Sequence, residues 1–577
     1  MSLDLHPPDE VARAYRPPTG PRVGGVRVGV RRAVATLAIV VPVAWALTRA
    51  TTPGSAIVNT GGLSQMQLLL GAVLHPQLSS DYLRVVLDAS LVTVMYAALG
   101  TAGALVLGAV GAVVLSDVAW RDRPGPVLPA VRFVLRAVLV GARSIHELIW
   151  ALLFVSVLGI DPLVAVLAIA IPFGAQTAKV FAQILDGVDR HPLTAMRAGG
   201  ARTAPALAYG LIPQAAPLLL SYAFYRFECA VRSSVILGVV GVGGLGQELV
   251  VSLQSRSWEE VWTLIAAVLL LSAVVDVWSS RVRTDLAVMS CSDWSGGTTT
   301  RTTRNRSLWA RWSAVVAVVG VVAAGITSGV SLSGLASSRT RDLTVRLFQD
   351  LFPPALPPGG WGALGGATLD TLAMAVLAMA LAVVLTVVVG PFATRVRPSG
   401  SAAAESSRAR TGWGVARGVA RLLARALLLV LRSIPPTVWA VLALLVLFPG
   451  ILPGAIALGL YTAGILGRLV AEAWESVDTR PRDALAAAGV PKGMASIAAV
   501  LPPSAFHMLA YTLYRFEICV RDTAVVGVVG AAGLGRLFAE NLAVFRFPAV
   551  TTLLLTSFAV SAASEVLGRR VRRAVSA

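Results

Sequence analysis

Apolar runs long enough to cross a bilayer recur along the whole chain, and no other feature limits the possible folds so sharply. A spanning helix needs roughly 20 mostly apolar residues. We place spans at 33–47, 88–117, 128–157, 160–185, 212–236 and 258–280, and again at 311–330, 367–392, 418–448, 454–474, 501–524 and 548–567. Only 14% of the 577 residues are charged, against about 25% in soluble domains. A single soluble core is excluded. The expected class is an all-α membrane protein with about twelve transmembrane helices.

The polar segments set organisation and orientation. Residues 290–306 form a polar stretch rich in Ser, Thr, Gly and Arg that reads as a flexible linker. It divides the chain into a first half (1–283), a linker (284–310) and a second half (311–577), with six spans on each side. The net charge of +19 comes from arginines gathered in short loops, the pattern of positive-inside topology and not of a nucleic-acid surface. Arg121, Arg123, Arg190, Arg197, Arg202, Arg480, Arg482, the segment 395–410 and the tail 569–573 fall on one side, whereas the long opposite loops 49–87 and 331–366 hold few. Both termini and the linker are therefore expected in the cytoplasm, with the chain multi-pass in the plasma membrane. Thr48-Arg49-Ala50 is a poor cleavage site, so the first run reads as an uncleaved span. The cysteines and histidines have no metal or disulfide spacing, and no metal site is expected.

The chain also repeats itself. A constant offset of 289 residues pairs Arg143-Ser-Ile145 with Arg432-Ser-Ile434, Trp150 with Trp439, Lys179 with Arg468, and Pro213 with Pro502. Between 222–246 and 511–535, 14 of 25 positions are identical. Further upstream the offset is 278 and pairs Thr93 with Thr371. Apolar bias does not align Tyr-Arg-Phe-Glu or ungapped prolines. Two halves with equal, even numbers of spans share one orientation and can enclose a pathway on a pseudo-twofold axis along the membrane normal.

One repeated motif lies in a loop: Thr194-Ala-Met-Arg-Ala-Gly-Gly200 then Pro213, and Asp483-Ala-Leu-Ala-Ala-Ala-Gly489 then Pro502. Each reads as a short Ala-rich helix ending at a glycine. It resembles the EAA loop (Glu-Ala-Ala, three residues, Gly, nine residues, Ile-x-Leu-Pro) of ABC importer permeases. That resemblance implies coupling helices seated in ATPase subunits, carried here by Thr194, Ala195, Gly200, Pro213, Asp483, Ala484, Gly489 and Pro502. Half one departs from the motif in having Thr194 for the glutamate, whereas Asp483 keeps a carboxylate.

The second motif is Tyr225-Arg-Phe-Glu228, Val231-Arg232, then the glycine run 238–246. Its copy is Tyr514-Arg-Phe-Glu517, Val520-Arg521, then 527–535. It resembles the permeases of phosphonate-type importers; methionine-type permeases carry a similar glycine run, so an ABC permease for another small solute such as methionine is an alternative. The resemblance implies a type I ABC importer permease fold and phosphonate, phosphate or phosphite as cargo. It also implies two cytoplasmic ATPase subunits, an extracytoplasmic binding protein and one copy of this chain per transporter. No Walker A sequence is present, so ATP and Mg belong to the partner ATPase and this chain is not itself an enzyme. Gly241, Gly244, Gly246, Gly530, Gly533 and Gly535 read as close helix packing or gate turns. A dinucleotide site would need a βαβ unit that the chain lacks.

Helical spacing assigns the charged residues. Glu228 and Arg232 lie four apart on one face, as do Glu517 and Arg521, and each pair is expected to bond. Arg226 points about 160° from Glu228 and sits roughly 20 Å beyond Pro213. With its mate Arg515 it is expected to face a central anion pathway. The alternatives are an acid on another helix or an outward-reaching side chain. A 6+6 secondary transporter driven by an ion gradient would share the spans and repeat but would need no coupling loop.

Overall fold

The computed structural model describes residues 25–51, 57–118, 127–292, 301–331, 334, 336–395 and 412–576. Their regular structure is helical apart from one isolated bridge, Val58 to Leu447. The first half contains α1 (Gly25–Ala50), α2 (Thr60–Gly71), α3 (Ser80–Leu115), α4 (Val127–Ser144), α5 (Glu147–Leu158), α6 (Pro162–Gly187) and α7 (His191–Ala198). It continues with α8 (Thr203–Gly210), α9 (Ile212–Leu237), α10 (Leu245–Gln254) and α11 (Trp258–Ser292). The second half repeats this order as α12 (Arg301–Thr327), α13 (Ser338–Leu351), α14 (Gly360–Ala393), α15 (Gly412–Ser433), α16 (Pro436–Val446) and α17 (Ile451–Ser476). It ends with α18 (Arg480–Ala487), α19 (Lys492–Val528), α20 (Leu534–Ala543) and α21 (Phe547–Ser576). Helix occupies 284–292 and 301–310 of the segment whose composition suggests a flexible linker. The rest of it, like the N-terminal 24 residues, Arg121, Arg123 and 396–410, lies outside the described residues.

Among the described residues, seven helices are long and apolar enough to cross a membrane. The number rises to ten if each of three bent helix pairs is one span; two shorter apolar helices, Thr36–Ala50 and Arg311–Thr327, stand where the first span of each half is expected. Twelve is reached only by counting all of these. The runs 128–157 and 418–448, expected as straight spans, are each broken: α4 meets α5 at 95° and α15 meets α16 at 91°.

The repeated Arg-Ser-Ile motif sits at these breaks, and the repeated tryptophan explains how they are tolerated. A broken helix leaves carbonyls without partners, which is costly in a bilayer. Trp150 Nε1 donates to the Ala142 carbonyl (3.2 Å), and Trp439 Nε1 donates to that of Leu431 (3.4 Å). On the far side of the break His146 Nδ1 accepts from Leu148 N (3.2 Å), whereas half two starts α16 with Pro436, which has no N–H to satisfy.

Small residues let the helices of each half pack closely. Ala97, Gly100, Ala104, Gly108 and Gly111 are buried along α3, which packs against α6. The first helices are exchanged between halves. Helix α1 packs on α14 of the second half, where Ala46 is fully buried and Arg49 Nε bonds Asp370 (2.7 Å). Helix α12 packs on α3 of the first half. Cutting the chain within 293–300 should therefore leave two fragments that co-purify in mild detergent. Separation on size-exclusion chromatography would contradict this interface.

Candidate anion pathway and coupling loops

Helices α9 and α19 bring the two Tyr-Arg-Phe-Glu motifs to a common cavity of about 400 Å³. Its wall carries eight arginines, Arg143, Arg226, Arg232, Arg283, Arg432, Arg468, Arg515 and Arg521, against four carboxylates, Glu147, Glu228, Glu472 and Asp522. Such an excess of fixed positive charge inside an apolar shell favours anions and repels cations. The starts of α5 and α16, at His146, Glu147 and Pro436, also line it. Their positive helix ends add to the same field.

Arg226 and Arg515 are 4% and 6% exposed. Neither forms an ion pair among the described residues, and Nε and Nη2 of both make no hydrogen bond. The Arg226 guanidinium lies over the Phe173 ring, 4.4 Å from its centroid. Of the alternatives open at the sequence level, a partner acid on another helix is thus absent from the described residues for both. Unbonded buried guanidinium N–H groups are costly, and here they border a cavity.

Most of the other charged groups on the wall are paired. Glu228 accepts from Arg232 (3.1 Å), as expected, and also from Arg283 (3.2 Å), with Arg432 at 3.8 Å. The expected bond between Glu517 and Arg521 is not formed. Arg521 Nη1 instead donates to the Arg143 carbonyl at the α4–α5 break (2.7 Å), and Glu517 does not line the cavity. The backbone there has carbonyls freed by the break, and they compete successfully for the guanidinium.

Sequence reasoning missed a second set of residues. Asp276 on α11 bonds Arg432 (2.8 Å) and Arg468 (2.5 Å) of the opposite half. Glu565 on α21 bonds Arg143 (2.8 Å) and Lys179 (3.5 Å) of the first half. These two triads are related by the offset of 289 at every member. Applying that offset to isolated acids in apolar runs would have found them.

The glycine runs form the turns from α9 to α10 and from α19 to α20. Gly241, Gly244, Gly530 and Gly533 have positive φ. A Cβ on Gly246 would lie 1.8 Å from the Val235 carbonyl oxygen, and one on Gly535 2.3 Å from that of Ala524. Thr93 and Thr371, paired by the offset of 278, accept from Leu245 N and Leu534 N, each at 2.9 Å. An apolar layer with residues of both halves, Ile236, Leu237 and Val525, packs as one cluster, and its Ile236 also lines the cavity.

Both coupling-loop motifs are short helices, α7 and α18, closed by one cap geometry. Ala201 N donates to the Met196 carbonyl and Val490 N to that of Leu485, with Gly200 at φ +87° and Gly489 at φ +89°. This is the Schellman arrangement. Thr194, Ala195, Gly200, Ala484 and Gly489 are exposed, as are Pro213 and Pro502 at the far end of the motif. Asp483 bonds its neighbour Arg482 (Nε to Oδ1 2.9 Å). In half one α8 and α9 are separate helices, but in half two the corresponding run is the single helix α19, with Pro502 and Pro503 inside it. A Cβ at Gly489 would meet nothing within 4 Å, so substitution there strains the backbone alone, by about 1–2 kcal/mol. Gly489→Val should leave insertion intact and reduce transport per ATP hydrolysed; normal uptake with normal ATPase binding would count against a coupling role.

The profile of a family described as "Binding-protein-dependent transport system inner membrane component" matches residues 128–286 and 411–576. The chain is 29% identical over 444 residues to the phosphate-import permease protein PhnE of Mycolicibacterium smegmatis, covering 77% of this chain and 78% of that protein. It is 36% identical over 155 residues to the phosphite transport system permease protein PtxC of Stutzerimonas stutzeri, covering 27% of this chain and 56% of that protein. No solved structure matches.

Proposed function

Because the chain belongs to the family of binding-protein-dependent transport system inner membrane components, we propose that its halves form the pore of an ATP-driven importer for phosphonate, phosphate or phosphite. The observation that carries the cargo class is the central cavity, with eight arginines against four carboxylates and two buried guanidiniums that form no ion pair among the described residues. Its relatives named for phosphate import and phosphite transport agree with that class.

In this reading the oxyanion enters from an extracytoplasmic binding protein and passes the apolar layer when the glycine turns yield. It is then held transiently by Arg226 and Arg515 through charge-assisted hydrogen bonds. Glu228, Arg232, Glu517 and Arg521 flank that path. Two ATPase subunits dock on α7 and α18 at the cytoplasmic face, one per half, so a single copy of this chain suffices. Both termini lie on that face. ATP and Mg act only in the ATPase. Uptake by vesicles holding the chain, its ATPase and binding protein should require internal ATP and survive collapse of ion gradients by ionophores. Uptake that follows the gradient and ignores ATP would favour a secondary transporter.

A further inference from the structure

We infer that the cavity selects an oxyanion that still carries a proton, and that Asp522 is the residue that reads it. This rests on the anion-pathway reading above and narrows its substrate class.

Asp522 lies on α19, is 8% exposed and lines the cavity. Its carboxylate accepts no hydrogen bond among the described residues. Across from it stands His146 at the α4–α5 break, whose Nε2 is 3.6 Å from Oδ1, and Tyr461 of α17 and Cys519 of its own helix are further titratable neighbours. Glu147 sits behind His146, with Oε2 3.4 Å from Nδ1. On its own helix Arg515 and Arg521 are its charged neighbours, and Arg521 is directed to the Arg143 carbonyl.

Here the pseudo-symmetry breaks. The offset of 289 pairs Asp522 with Ser233. Ser233 donates to Glu147 (2.6 Å), so the carboxylate on the first half's side is satisfied. The one on the second half's side is open to a cavity otherwise built for anions. An ionised carboxylate only accepts hydrogen bonds. Against a fully ionised tetrahedral anion it sets oxygen against oxygen with no proton between them. Against a P–O–H group it accepts a short, charge-assisted bond. A carboxyl that held the proton itself would donate to either anion, so the preference requires Asp522 ionised. Phosphonates and phosphite lose their last proton near neutrality (a phosphate ester does so at about pH 6) and inorganic phosphate keeps its last proton well above it, whereas sulfate has none to offer. A charge-assisted bond contributes about 1.5–3 kcal/mol, which predicts a preference on the order of 10- to 100-fold.

The test uses the full chain in lipid nanodiscs without binding protein. Broadening of the phosphorus resonance of methylphosphonate is reversed by added inorganic phosphate or sulfate. For the wild type, reversal should need at least about tenfold more sulfate than phosphate, and the broadening should weaken as pH rises and the monobasic form disappears. Asp522→Asn supplies an amide donor and should bring sulfate within about threefold of phosphate, while Asp522→Glu should keep the preference. Equal competition by the two anions in the wild type, or an unchanged ratio in Asp522→Asn, overturns the proposal but leaves the arginine site standing. Broadening that persists undiminished in Arg226→Gln/Arg515→Gln overturns the pathway reading and this proposal together. The pH series on the wild type decides the matter even if the variants fail to assemble.

Discussion

Arg226→Gln and Arg515→Gln should each lower ATP-driven uptake by about 10- to 100-fold, since each removes one charge-assisted contact of about 1.5–3 kcal/mol. The double variant should abolish detectable transport. Both side chains make no ion pair among the described residues, so their removal breaks no ionic contact and the protein should still insert and bind its ATPase. Glutamine keeps much of the length and a donor but lacks the charge, which separates an electrostatic role from packing on Phe173. Assembled protein with undiminished uptake would reject the pathway role.

The crossed triads should dominate stability. Asp276→Asn strands Arg432 and Arg468 together. Losing one member of a buried pair costs roughly 3–5 kcal/mol. The Asp276 side chain is 17% exposed and that of Arg468 29%, so about 2–3 kcal/mol is expected, measured as a shift of the unfolding equilibrium in mixed micelles. Adding Arg432→Gln should cost less than the sum of the single changes, because it removes one of the stranded charges. Strict additivity would show that the triad is not a unit. Glu565→Gln should cost less than Asp276→Asn, since Lys179 is 42% exposed and 3.5 Å away.

Much of this architecture is legible in the sequence because the repeat is a record of symmetry. Tyr-Arg-Phe-Glu, the glycine runs and the loop glycines each mark a local backbone or packing requirement, and the structure places both copies of each in the same setting. The breaks at Ser144 and Ser433 were not legible as breaks. Apolar content is equal on either side of them, and hydropathy does not register direction. The exchange of α1 and α12 was hidden for a similar reason, since an apolar helix does not encode which neighbour it will meet. Pairing within α19 was misjudged because helical spacing says which side chains can meet, not which acceptors lie on other helices. Asp522 stands where the repeat fails, opposite Ser233, so identity between the two copies does not mark it.

The central claim is that a tetrahedral oxyanion passes between Arg226 and Arg515. Arsenate, a heavier tetrahedral mimic, can be located by anomalous scattering in crystals of the chain bound to its ATPase. The account predicts one peak in the central cavity within hydrogen-bond reach of both guanidiniums. A cavity without that peak, with Arg226 and Arg515 turned onto carboxylates, would contradict it.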